Sequence, residues 1–220
     1  MDALEQGKKH FENENYQAAL DCFTSFLSMH ILHADALFFR AICHRKLGDY
    51  KSSIIDFTAV LKKLPEEATI YSERGVSYFH NKQIDLSLQD MDKAVALEPH
   101  KAYRYSSRAF IKAYKDVEGA IADYKKAIAL DPEDEISYNN LGLLEENQGR
   151  YKEAQESYKK SNEIIGYHPE QRQQPTPPST PETTATTPSF GSVFASVFTS
   201  QAARKDFWNF VKTIFGKGKE

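Results

Sequence analysis

Three prolines, Pro65, Pro99 and Pro132, stand 34 and 33 residues apart, and the segments ending on the last two read DKAVALEP and KKAIALDP. A period of this size means one small helical or strand unit copied along the chain. A single such unit cannot bury its apolar face, so the core has to come from stacking copies. The remaining six prolines all lie in residues 169–189, so the repeats stop before that segment.

Aligned on the period, the chain divides into five units, 1–33, 34–67, 68–101, 102–134 and 135–166. Each carries a small residue midway through its first half: Gly7, Ala41, Gly75, Ala109 and Gly142. A second small residue opens the other half (Ala19, Ser53, Ser87, Ala120, Ala154), and a large one follows four residues later (Phe23, Phe57, Met91, Tyr124, Tyr158). Both halves place apolar or small residues three and four apart, the period of a helix face. Small residues let two antiparallel helices approach closely while the large one fills the space beside them. Between the halves stand Gly48-Asp49-Tyr50 and Gly149-Arg150-Tyr151, a glycine helix stop followed by a restart. The spacing predicts helix–turn–helix, five times.

This pattern resembles the tetratricopeptide repeat family, whose small residue–aromatic–proline signature is matched by KLGDYKSSIIDFTAVLKKLP and NNLGLLEENQGRYKEAQESY. The resemblance covers about three quarters of the chain. Repeat 4 is one residue short, around Tyr114–Val117, and repeat 1 lacks the closing proline, with Ile31 near its place. The fold it implies is all-α, a right-handed superhelical solenoid of antiparallel helix pairs over residues 1–168. A Pro/Thr-rich linker, 169–189, and an apolar, basic tail, 190–220, complete the expected domain organisation.

The resemblance further implies a binding module with no catalytic residues. Its concave face would be built by first-helix residues around the central small position: Lys8, Phe11, Phe38, Phe39, Ile42, Val76, Phe79, Tyr103, Phe110 and Leu143, with Glu73, Asn139 and Asn140. Large apolar patches and aromatic anchors mark interaction surfaces, so an apolar or amphipathic peptide segment is the expected ligand. One subgroup of the family grips a chaperone's C-terminal carboxylate through Lys, Asn and Arg. The matching positions here are Leu4 and Lys8, Phe39, Thr69 and Glu73, which leaves that clamp without its members.

Other chemistry finds little support. Arg40, Arg74 and Arg108 recur at 34-residue spacing, with Asp56, Asp90 and Asp123 following sixteen, sixteen and fifteen residues later. Repeats 1 and 5 lack both members, so each pair is expected to join the two helices of its own repeat; an arginine ladder for anions is the alternative. His10 and His44, also 34 apart, and the His30–His33 pair have no fixed-spacing Cys or carboxylate beside them, so no metal or other cofactor is expected. The chain of 220 residues has a net charge of −3 and only Cys22 and Cys43. That excludes a dedicated nucleic-acid binder and a disulfide framework. GxSxG, HExxH and GxxxxGK[ST] motifs are absent, so an enzyme is not expected. The opening MDALEQGKKHFENEN has no apolar signal core and no apolar run reaches a membrane span, so a cytoplasmic location is expected.

The tail departs from this composition. Residues 169–189 hold six prolines and six threonines, too little apolar content to pack a core, and read as an extended, disordered linker. Beyond it, Phe190, Val193, Phe194, Val197 and Phe198 fall on one helix face, and Phe207, Phe210, Val211, Ile214 and Phe215, with Trp208 at the edge, fall on another. Residues 189–220 carry a net charge of +3 against −6 for residues 1–188. A helix this short is marginal in water unless it docks. Three occupations are open to it. Through Phe194, Phe198, Phe207, Trp208, Val211, Ile214 and Phe215 it would dock on its own repeats, in the groove or over the end of repeat 5. It would otherwise lie on an anionic membrane surface as a peripheral anchor, or serve as a motif for another protein.

Overall fold

The computed structural model describes residues 2–167, which hold ten helices and no strand. The linker 169–189 and the tail 190–220 lie outside the described residues. In chain order the helices are α1 (Ala3–Glu12), α2 (Tyr16–Met29), α3 (Ala34–Lys46), α4 (Tyr50–Leu61), α5 (Ala68–His80), α6 (Ile84–Leu97), α7 (Ala102–Lys112), α8 (Val117–Leu130), α9 (Glu135–Asn147) and α10 (Tyr151–Ile164). Two helices fall in each of the five predicted repeats. The described residues fall into two compact units, divided between Ile111 and Lys112. Their boundary falls inside the fourth repeat, just ahead of its shortened turn.

In the first unit, α1 packs on α2, α3 on α4 and α5 on α6, while α2 meets α3 and α4 meets α5 to join successive repeats. The predicted large residues of the second helices, Phe23, Phe57 and Met91, are buried against the small positions. The small residues are often serines whose hydroxyls stay satisfied inside the stack: Ser53 and Ser77 share a hydrogen bond of 2.9 Å, and Ser87 donates to the Gly75 carbonyl at 2.7 Å. Each hydroxyl therefore costs no orphaned polar group while keeping the helices close. In the second unit α9 packs on α10 and α8 on α9 around Ile121, Tyr124, Leu141 and Leu144.

Turns within repeats 1, 2, 3 and 5 share one device. Gly48 and Gly149 adopt φ of +86° and +73°, as the glycine stops predict, and the same repeat position in repeats 1 and 3 holds Glu14 and Lys82 at +59° and +64°. A left-handed residue is needed to reverse the chain in so few steps, and only glycine takes it without strain. Asp49 and Asp116 cap the second helices of repeats 2 and 4 by accepting from the backbone N–H of Ser52 and Gly119, and Asp134, between repeats 4 and 5, caps α9 by accepting from that of Ser137.

Two of the arginine–aspartate pairs form as the spacing predicts. Arg40 grips Asp56 with Nε and Nη2 at 2.7 and 2.8 Å, and Arg74 grips Asp90 at 2.8 and 2.7 Å while also donating to Thr58. Both join the helices of a single repeat through a bidentate fork. Arg108 and Asp123 belong to different units. Within its own unit Arg108 donates to Asp92 at 2.8 Å, and Asp123 accepts Lys112 at 2.9 Å. In repeat 5, where the pair is replaced by Leu141 and Ser157, buried Glu145 accepts from Ser157 instead.

Candidate peptide-binding groove

Nine of the ten predicted groove residues lie in the first unit, on α1, α3, α5 and α7; Leu143 lies on α9 of the second. Several of the nine are in mutual contact. Phe11 meets the edge of Phe39 with ring centres 5.2 Å apart, and Phe39 meets Phe38 at 5.7 Å. Behind them Phe39 stacks on Phe23 and Phe38 meets Phe57, so the aromatic run reaches back to the second helices α2 and α4. A second cluster joins Phe79 of α5 to Phe110 of α7 at 5.7 Å. Burial separates the predicted residues into two groups. Phe38, Phe39, Ile42, Val76 and Phe110 are buried, whereas Lys8, Phe11, Phe79, Tyr103 and Leu143 are half-buried. The half-buried members have surface left to offer, whereas the buried ones belong to the interior of the first unit.

Charged residues of the same helices are held in pairs. Arg45 of α3 donates to Glu73 of α5, and its Nε is buried without a partner. Arg104 of α7 is buried: its Nε donates to Glu98 at 2.7 Å, Nη1 to Ser72 at 2.8 Å and Nη2 to Thr69 at 2.9 Å. Its guanidinium also lies over the Tyr103 ring, 4.5 Å from the ring centre. Thr69 and Glu73, two of the positions at which a carboxylate clamp would carry cations, instead accept hydrogen bonds. That polarity suits a ligand recognised by apolar side chains better than one recognised by a terminal carboxylate.

Burial also shifts the titration of neighbouring groups. It pushes the Asp35 carboxyl up, with His33 and Lys8 pulling the other way. It pushes the Lys46 ammonium down, helped by Arg45 and opposed by Glu73 and Glu14. His80, stacked on Tyr50 with ring centres 5.0 Å apart, falls below its ordinary 6.5 through burial and the nearby cations Arg45 and Lys82. Each shift favours the neutral form, as expected where apolar side chains displace water.

On α9, Asn140 is buried with its side chain against the buried Tyr124 hydroxyl, next to exposed Asn139 and one turn before half-buried Leu143. His44 sits 3.4 Å from Asp49, and among the described residues no group of His, Cys, Asp or Glu is arranged to hold a metal. No helix among the described residues is long and apolar enough to cross a membrane.

Sequence reasoning missed Arg45, Arg104 and the buried state of Phe38, Phe39 and Phe110. Arg104 did leave a signal: its repeat-equivalents Ala36, Ile70 and Ser137 are small or apolar and all buried, so an arginine there breaks the pattern. Arg45 and Glu73 left none, because they lie 28 residues apart, a spacing that no repeat of 33 or 34 would suggest.

Models of the tetratricopeptide repeat match residues 4–57 and 45–102, and further repeat models match 112–149 and 136–166. Among solved structures, MamA (residues 41 to the end) from Desulfovibrio magneticus RS-1 is similar at 24% identity and a TM-score of 0.67, covering 73% of this chain and 91% of its own. YrrB, described as a TPR protein with an unusual peptide-binding site, matches at 17% identity and a TM-score of 0.61, over 76% of this chain and 86% of that one. TTC0263, a thermophilic TPR protein of Thermus thermophilus, matches at 22% identity and a TM-score of 0.59, over 74% of this chain and 90% of that one. At these identities the likeness is one of fold.

Proposed function

The chain belongs to the tetratricopeptide repeat family, and from that premise we propose that it is a non-enzymatic interaction scaffold holding an apolar or amphipathic peptide segment on its first-helix face. The observation that carries this reading is the aromatic run on the first unit, where Phe11 and Phe79 remain half-buried against the buried rings of Phe38, Phe39 and Phe110. Aromatic anchors backed by a dry interior are the arrangement in which a few residues carry most of a binding energy. The similarity to YrrB supports it at the level of fold.

The tail is the nearest candidate occupant. Residues 190–216 match the expected ligand in their apolar faces, and the linker keeps them at an effective concentration of order mM, so a weak contact would already be filled. A true external ligand would then have to displace the tail, which makes the groove self-regulated. A labelled peptide of residues 190–216 tests this by fluorescence anisotropy against the full chain and against residues 1–168. The expected result is tighter binding to the shorter chain, weakened about tenfold by Phe79→Ala, the loss of one anchor. Equal binding to both chains overturns self-regulation, and indifference to both Phe11→Ala and Phe79→Ala overturns the groove.

The tail's Trp208, its phenylalanines and its +3 charge favour a second reading, a peripheral adaptor held on an anionic membrane. Sedimentation with vesicles of phosphatidylcholine and phosphatidylserine, with and without residues 189–220, separates the two.

A further inference from the structure

The five repeats provide an internal control for burial. The large residue of each second helix is Phe23, Phe57, Met91, Tyr124 or Tyr158. The first four are 0–2% exposed, but Tyr158 is only half-buried. The residue opening each second helix behaves the same way: Tyr16, Tyr50, Ile84 and Val117 are half-buried, while Tyr151 is 71% exposed. Repeat 5 therefore presents the same stacking face as the others, and no described element covers it. The face forms an open cleft of about 900 Å³ along α10, lined by Tyr151, Ala154, Gln155, Tyr158, Asn162 and Tyr167. Glu146, Glu156 and Glu163 stand on its rim with Lys152 and Lys159, a net negative edge.

We infer that this cleft is the seat of residues 205–216 of the same chain, docked as the first helix of a sixth repeat would be. Tyr167, the last described residue, lines the cleft, so the chain leaves the repeats at the edge of the proposed seat. The stretch is twelve residues long, within the 10–13 of the first helices in the repeats. Its apolar arc, Phe207, Phe210, Val211, Ile214 and Phe215, is broad enough to fill a stacking face, and at about 100° per residue Lys205 and Lys212 flank the Trp208 side of that arc. With Asp206 at the arc's opposite, Phe210 edge, the stretch keeps a net positive charge that complements the net negative edge of the cleft. The stretch has Val211 where a repeat would have its small residue, counted four after Phe207. A helix with a valine there stands further from its neighbour than a repeat helix does, and an open cleft with room for large side chains accepts that. Residues 168–204 span the return, since the entropy cost of closing a loop grows only slowly with its length.

This deepens the tail-docking reading above and rests on it only in treating the tail as an intramolecular ligand. It divides the tail, leaving the Phe190–Phe198 stretch for the groove and sending the basic stretch to the end of the repeats. Filling that end would also remove an exposed stacking face that other copies could join.

Trp208 is the chain's single tryptophan, so the intact protein reports on the seat without a label. Emission maximum and iodide quenching are read on the full chain over a hundredfold dilution, for wild type, Tyr151→Glu, Phe210→Ser and Phe79→Ala. The inference expects protected, blue-shifted emission independent of concentration. It expects a quenching constant at least threefold higher in Tyr151→Glu and in Phe210→Ser, with Phe79→Ala unchanged. Tyr151 is exposed, so its substitution leaves the fold intact, which far-UV circular dichroism checks; Phe210 lies outside the described repeats. Release by Phe79→Ala but not by Tyr151→Glu places the basic stretch in the groove, which overturns this inference and leaves self-regulation standing. Freely quenched wild-type emission overturns this inference and leaves the groove, with Phe190–Phe198 as its occupant, to the peptide-binding experiment above. Protection that fades on dilution overturns docking within one chain.

Discussion

Replacing the central glycine of repeats 1 and 3 by alanine tests whether close helix packing, rather than glycine's backbone, sets the small position. A Cβ on Gly7 would lie 2.6 Å from Phe23 Cε1, 2.8 Å from its Cδ1 and 3.0 Å from its Cζ. Phe23 is fully buried and stacked on Phe39, so it has nowhere to swing. A Cβ on Gly75 meets Met91 Cε at 3.1 Å, Asp90 Cβ at 3.3 Å and the Ser87 carbonyl oxygen at 3.3 Å. The nearest of these is the far end of a flexible thioether, which yields at small cost. In both helices alanine gains about 1 kcal/mol over glycine in intrinsic propensity. Overpacking costs roughly 1–3 kcal/mol where neighbours cannot move, and a 2.6 Å approach to a fixed ring takes the upper part of that range, about 2–3 kcal/mol. Gly7→Ala should therefore lose about 1–2 kcal/mol net, and Gly75→Ala should stay within about 0.5 kcal/mol of wild type. Both sites lie in the first unit, so one unfolding transition reports on both. Urea denaturation followed by circular dichroism reads the difference, and at about 1–3 kcal/mol per molar urea the first change moves the midpoint by roughly half a molar or more. The reasoning is refuted if Gly7→Ala is as stable as wild type, or if Gly75→Ala costs more than Gly7→Ala.

Arg74→Met should lose about 3 kcal/mol by leaving Asp90 buried without its fork, whereas the double change with Asp90→Leu should lose less than either single one. A urea-melt double-mutant cycle gives the coupling. Burial holds His44 and His80 below their ordinary 6.5, with Asp56 and Asp49 opposing this at His44 and cations adding to it at His80. The unfolded chain therefore binds more protons just below pH 6.5, so stability is full above that pH and declines as pH drops from there through the folded values. His80→Gln should flatten the loss between about pH 6.5 and 5.5, measured by urea midpoints. Burial pushes the Cys43 thiol up to about 12, while Cys22 is half-buried, so iodoacetamide at about pH 8 should alkylate Cys22 in the folded protein and both cysteines in urea, counted by mass spectrometry. Lys82 sits at φ +64° where repeats 2 and 5 use glycine; Lys82→Gly should stabilise by about 0.5–1 kcal/mol, read as a higher thermal midpoint.

What could be read along the chain is what repeats along it. The small and large positions recur every 33 or 34 residues, and the Arg40–Asp56 and Arg74–Asp90 forks span sixteen residues within one helix pair. Such contacts are local, so periodicity and charge spacing are enough to name them. The glycine turns were legible for the same reason, although Glu14 and Lys82 show that the turn geometry is imposed even where the residue is ill suited.

The sequence by itself determined the helix pairs, their number and the apolar character of the first-helix face. Only the tertiary structure decided which of those apolar residues became core and which stayed half-exposed. Phe38 and Phe11 look equivalent as phenylalanines on first helices, yet burial depends on the helices beside them. The same holds for Arg104, whose partners Thr69 and Ser72 come from the preceding repeat, and for Tyr151, a residue like Tyr50 that differs only in having no described repeat after it. A repeat's sequence specifies its own fold, but the solvent exposure of each face is set by what stacks against it, and that is a property of neighbours.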